Sequence, residues 1–261
     1  MAYQNWNVRE EGQITTLELY RPDHSNNLTA ETLYELSEIT DRLRADPDVR
    51  SVILQGQGEH FSTGVDLRMV KERLGYSEKD NRRFLLGLQV CLDNFESLEV
   101  PTIAKLRGFC IGGGLLLALC CDFRYASERT IFSLPEVKLG FPILWGTQRI
   151  TRVIGFAAAK EMILLGGRFK AAEALSCGLV HRVVQANDLD AEVAAFAMRF
   201  MKLSPRVLRL AKRVINTGIE LTLRESQDLE VEILTEVLAS PETRDTFAHY
   251  LETHEPSSDV L

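Results

Sequence analysis

The sequence predicts a mixed α/β domain followed by a helical region, on three observations. Strand-like and helix-like segments alternate over residues 1–186. From Asn187 onward the periodicity is helical only, with breaks near Ser204-Pro205 and Ser240-Pro241. At 261 residues the chain is long enough to bury a sizeable core, as one large domain or as a domain with a smaller subdomain. The sequence boundary is therefore drawn between residues 1–186 and 187–261.

The elements follow in order. Gln13–Tyr20 alternates apolar and polar residues with period two, as a half-buried strand does. A turn rich in Pro, Asp, Ser and Asn comes next, and Thr29 is placed to cap a helix carrying Leu33, Leu36, Ile39 and Leu43 on one face. Ser51–Gln55 and Thr102–Leu106 read as buried strands. Between them lie a charged stretch, Lys71–Asp80, and an amphipathic helix from about Lys79 to Ser97. Leu115–Cys121 is a short apolar helix entered directly from three glycines, and strand-like pieces at Asp122–Ala126 and Leu179–Val184 bracket a loop-and-helix region.

Bulk properties narrow the function classes. A net charge of −7 with no Lys/Arg block argues against a sequence-independent grip on nucleic acid. No apolar run approaches the roughly 20 residues that span a bilayer. Met1–Trp6 has neither a basic flank nor an apolar stretch, so no secretory signal is expected. Five cysteines, two of them adjacent at Cys120 and Cys121, suit buried thiols in a reducing compartment better than a disulfide framework. No Cys/His cluster has metal-ligand spacing. The expectation is a cytoplasmic protein that holds no metal, membrane or nucleic acid.

Three segments carry chemistry. Gly112-Gly113-Gly114 enters an apolar helix, where a ligand can approach the backbone and free N–H groups favour negative charge. A tight turn beneath a packed helix is the equally open alternative. His60–Leu67 follows a buried strand and a glycine-containing turn, so its backbone groups are placed to face a ligand. Two amide donors from these segments could meet on one oxygen, the logic of an oxyanion hole. Glu136 sits among apolar neighbours, a setting that raises a carboxyl pKa and suits proton transfer near neutrality. A solvated glutamate, or one paired with Lys138 or Arg149, stands against that reading. His60, His181, His254 and Asp122 read as structural or solvent-facing, and Asp66 as a residue that shapes its loop.

The order of motifs resembles the crotonase (enoyl-CoA hydratase/isomerase) superfamily across nearly the whole chain. The resemblance rests on Arg21-Pro22 with Asn26-Asn27-Leu28, Phe61–Leu67, Pro101–Ala104, Gly112–Asp122, Phe132–Gly140, Gly146–Arg149 and Gly166–Val180. It implies a spiral of ββα units with a helical C-terminal trimerisation region, assembled as a homotrimer or hexamer. It also implies that the amides of Val65 and Gly113 form an oxyanion hole for an acyl thioester. Coenzyme A would enter as part of the substrate and no separate cofactor would be needed. Ser62, Thr63, Gly64, Asp66 and Leu67, with Gly112 and Gly114, would lie along the bound thioester.

Departures from the family pattern refine the activity. Family hydratases carry two glutamates, and hydration uses one group to activate water and one to handle the α-proton. Here the first position is Leu116, while the second is Glu136. A single glutamate with an oxyanion hole suffices to move a double bond, and resembles the family's Δ3,Δ2-enoyl-CoA isomerases. The sequence therefore points first to an isomerase. Hydration, C–C cleavage and thioester hydrolysis are the alternative enolate reactions, and a non-catalytic trimeric scaffold or RNA-binding homologue is the alternative of another class. Trp145 follows in a segment bulkier than the family's glycine-rich version, and walls the acyl pocket or belongs to the core. Tyr250–Pro256 lacks the basic residues that approach CoA phosphates in the family, which leaves an acyl carrier protein open as the carrier.

Overall fold

Strands β1 (Trp6–Glu11) and β2 (Ile14–Leu19) form an antiparallel hairpin around Gly12, whose positive φ of 61° suits glycine at the turn. This is a computed structural model, and it describes residues 3–253. Helix α1 (Ala30–Ala45) starts where Thr29 Oγ1 accepts from Thr32 N at 3.2 Å, and it buries Leu33, Leu36, Ile39 and Leu43 as its periodicity predicts. Strand β3 (Ser51–Gly56), buried at every position, pairs parallel with β2.

From there the chain repeats one pattern: a strand in a large sheet, a strand in a small sheet, then helix. After β3, Ser62 makes an isolated bridge to Cys110 before α2 (Leu67–Arg73) and α3 (Glu78–Glu96). The next turn is β4 (Thr102–Leu106), β5 (Phe109–Ile111) and α4 (Gly113–Leu119). The third is β6 (Phe123–Ser127), β7 (Ile131–Ser133), a 3-10 turn over Pro135–Leu139 and α5 (Thr147–Leu165). Strand β8 (Arg168–Lys170), α6 (Ala171–Ser176) and β9 (Arg182–Val184) complete it. The large sheet runs β1-β2-β3-β4-β6-β9, parallel except for the first hairpin, and the small one runs β5-β7-β8. This is the expected spiral of ββα units.

The chain divides into two units, Met1–Leu203 and Ser204–Leu261. Helix α7 (Leu189–Phe200) packs on β3, β4 and β6, with Phe196 and Phe200 against the Phe123 ring at 4.9 and 5.8 Å between centroids. The helix-only stretch after Asn187 thus lends its first helix to the α/β unit. The second unit holds α8 (Pro205–Gly218), α9 (Leu223–Ala239) and α10 (Pro241–Thr253). Ser204 caps α8 by accepting from Val207 N, with Pro205 in the first turn, which accounts for the break there. Within this unit Ile233 is buried and Leu229 and Val237 are half-buried. His254, Glu255 and Pro256, the end of the segment considered for CoA contacts, lie outside the described residues. Among the described residues no helix is long and apolar enough to cross a membrane.

Candidate active site

The loop after β3 is held from behind by Asn26, a residue of the Asn26-Asn27-Leu28 motif to which the sequence assigns no role. Its Nδ2 donates to the carbonyls of Gln57 and His60, both at 2.8 Å. The fully buried Ser62 donates from Oγ to Asn26 O at 2.7 Å and accepts from Gly64 N at 3.2 Å. The Ser62 side chain is therefore spent on holding the loop, and Ser62 does not line the cavity described below. Asp66 also shapes the loop: it caps α2 by accepting from Arg68 N at 2.8 Å, and it accepts from Asn27 Nδ2 at 3.0 Å. His60 and His181 accept backbone N–H bonds from Phe109 and Arg124, and Asp122 accepts from Thr102, so all three are structural.

So anchored, the loop lies against the entrance of α4. Gly64 takes φ +95°, and a Cβ there would stand 2.9 Å from Ile111 O and 3.3 Å from Gly113 N. A Cβ on Gly113 would stand 3.4 Å from Val65 N, so the two amides are near neighbours. The Gly112 amide is used, donating to Ser133 O at 2.8 Å. Gly113 N opens the helix, where no intrahelical acceptor exists, and neither it nor Val65 N donates to any described residue. Two adjacent, unspent N–H groups are an arrangement that accepts a developing oxyanion. Gly114 lies on the other side, tight against Ser62, and explains the third glycine by packing.

Glu136 is carried in the 3-10 turn that Pro135 opens and Gly140 closes in the left-handed conformation. Its Oε1 lies where a Cβ on Gly112 would approach to 2.7 Å, so only glycine admits the carboxylate this close to the helix entrance. Its Oε2 is shielded from solvent and has no hydrogen-bond partner among the described residues. Burial pushes the carboxyl above the ordinary glutamate range, against a smaller opposing pull from its own backbone N–H. Pairing with Arg149 is not realised, because that guanidinium is bound to Glu96 at 2.6 Å and to Asp93 at 2.5 Å.

These groups meet in one cavity of about 480 Å³. Thr63, Gly64, Val65 and Leu67 line it from the loop, Gly112, Gly113 and Leu116 from the entrance and body of α4, and Glu136 and Trp145 from the segment before α5. Ser62, Asp66 and Gly114 are outside its wall, for the packing reasons given. Leu116 is only 3% exposed, and among the described residues Glu136 is the only acidic one that lines the cavity. Trp145 does wall the pocket, held by an Nε1 bond to Leu85 O at 3.1 Å and by an unusual φ of +63°. Arg73 also lines the cavity, and no feature of its sequence neighbourhood pointed to it.

A spiral of ββα units whose backbone amides and one carboxylate share an apolar cavity is the architecture of an acyl-thioester enzyme. The pattern of the Enoyl-CoA hydratase/isomerase family matches residues 9–259, and the chain belongs to that family. It is 33% identical over 255 residues to the short-chain-enoyl-CoA hydratase of Clostridium acetobutylicum, covering 97% of this chain and 96% of that one. It is 34% identical over 250 residues to an enoyl-CoA isomerase/hydratase of Mycosarcoma maydis, covering 92% and 90% respectively. The crystal structure of the Bacillus anthracis enoyl-CoA hydratase superposes with a TM-score of 0.88 at 33% identity, covering 97% of this chain and 98% of that one. All three names include hydratase and only one adds isomerase, so they favour hydratase and do not support the isomerase preference read from the sequence.

Proposed function

We propose that the chain acts on an acyl thioester through an enolate, with Glu136 as its one acid/base and the amides of Val65 and Gly113 as the oxyanion hole. The observation that carries this reading is the single carboxylate that the described residues bring to the cavity, beside two unspent amides. Glu136 takes the C2 proton of a 3-enoyl thioester, and negative charge moves to the carbonyl oxygen. The double bond re-forms between C2 and C3 as the same carboxyl returns the proton at C4. Each oxyanion donor contributes on the order of 3 kcal/mol to a transition state of this kind. The raised pKa of Glu136 suits a base that must also release its proton near neutrality. On this reading Thr63, Gly64, Leu67 and Gly112 flank the thioester, Leu116 and Trp145 border the acyl chain, and coenzyme A is the carrier.

Hydration of a 2-enoyl thioester is the second reading, favoured by the names of the relatives. It requires Glu136 alone to serve both the incoming water and the α-proton, since Leu116 offers neither a base nor a water site. Rates of the purified protein on 3-enoyl-CoA and 2-enoyl-CoA, measured side by side, separate the two. Faster isomerisation is the expected result. Fast hydration with little isomerisation would overturn the isomerase assignment and leave the enolate site intact.

We further propose that the protein works as a homotrimer or hexamer. Val231, Leu234 and Leu238 of α9 are 57–65% exposed, an apolar stripe that association would cover. Sedimentation showing a stable monomer at micromolar concentration would exclude it.

A further inference from the structure

We propose that Arg73 binds an acceptor at the far end of the acyl chain, an ω-carboxylate, so that the preferred substrates are dicarboxylic acyl thioesters. This deepens the acyl-thioester reading above and rests on it. Arg73 ends α2 and lines the cavity; among the described residues it and Glu136 are the only charged side chains there. Its guanidinium is positioned in detail. Nε donates to Asn81 Oδ1 at 2.9 Å, and Asn81 Nδ2 donates back to Arg73 O at 3.0 Å. The rings of Tyr76 and Phe84 lie 4.0 and 4.4 Å from its central carbon, which fixes the group further.

The two N–H groups of Nη2 are left over. Among the described residues Arg73 Nη2, shielded from solvent, has no hydrogen-bond partner, and no carboxylate pairs with the guanidinium. A cationic N–H withheld from water without an acceptor is costly, and such groups are matched when a ligand supplies the acceptor. A guanidinium held in a plane suits a carboxylate, which it can meet with two parallel bonds. The neighbouring lining residues, Met69, Val70, Leu74 and Leu88, are apolar. That is the surround of an acyl chain and not of a solvated phosphate.

The test is titration of the full chain with coenzyme A, pentanoyl-CoA and glutaryl-CoA, the last two differing only in a terminal methyl or carboxylate. These saturated thioesters do not react, so the readout is binding alone. The wild-type protein is expected to bind glutaryl-CoA about tenfold tighter than pentanoyl-CoA, the scale of one charge-assisted hydrogen-bond pair. Arg73→Met should abolish that preference and Arg73→Lys should keep part of it. Equal binding of the two thioesters by the wild type overturns the proposal, and because that comparison needs no variant, a misfolded mutant does not blunt it. Arg73→Met weakening all three ligands by one factor also overturns it, since the side chain would then serve the CoA phosphates. If none of the three binds, the acyl-CoA reading itself fails and takes this inference with it.

Discussion

The side chain of Leu116 fills the space over Gly146. A Cβ on Gly146 would come within 2.9 Å of Leu116 Cγ and closer still to Cδ2. Gly146 has φ −121°, which any residue adopts, so its requirement for glycine is one of space and not of backbone conformation. The leucine that stands at the position of the hydratase glutamate is therefore built into the turn that presents Trp145.

Gly146→Ala should then destabilise the protein by about 1–3 kcal/mol, the cost of overpacking a filled site. Leu116→Ala alone should cost about 2–5 kcal/mol through the cavity it opens. Combined, the alanine at 146 gains the room that the leucine vacates, so the double variant should lose less than the sum. Chemical denaturation of the four proteins measures this, and strict additivity would show that the two residues do not share the space.

A similar relationship places the carboxylate. Gly112 combines φ +52° with the approach of Glu136 Oε1 to 2.7 Å of a would-be Cβ. With ψ at −129°, Gly112→Ala should strain the backbone by about 1–3 kcal/mol and displace Glu136 from the two amides. A base moved by about an ångström loses roughly 10²-fold in rate. Gly12→Ala is the control: φ is +61° with nothing within 4 Å of a Cβ, so it should incur the backbone strain and leave activity unchanged. Equal kcat losses in the two variants would mean that Gly112 matters only for its dihedral.

How much of this was legible follows from where the determining contacts lie. The helix after Thr29 and the strands at β3 and β4 were readable because each carries its own signal, a cap with a period of 3.6 or a continuous apolar run. Strands β5, β7 and β8 span three residues each and are defined by partners 20 to 40 positions away, so no local period marks them. Helix α2 was hidden because Lys71, Glu72 and Arg73 read as a solvated stretch. Glu136 and the glycines stood out through order of motifs. Asn26 was visible only as a motif residue and its role was not, since it acts through carbonyls more than 30 residues away; Arg73 was not visible at all, since it acts through Asn81 and Phe84 on the next helix.

Glu136 ties activity and stability together with opposite signs. The rate requires the ionised carboxylate, so kcat/KM should fall on the acid side with an apparent pKa above the ordinary glutamate range, because burial disfavours the charge. Glu136→Gln should lower the rate by about 10² or more, the scale of a lost general base. Stability runs the other way. The folded pKa lies above the unfolded one, so the folded chain holds the proton more tightly, and the carboxyl's stabilising contribution is complete only below the unfolded pKa. That contribution is lost as pH rises through the folded pKa, where a buried charge is left with an unpartnered Oε2. Glutamine is neutral throughout and escapes the loss. Thermal melts across pH should therefore show the variant gaining over the wild type toward neutral pH, with the gain shrinking as both are brought below the unfolded pKa. A Tm difference that stays constant with pH would mean that Glu136 titrates alike in the folded and unfolded chain, and the desolvated base would have to be given up.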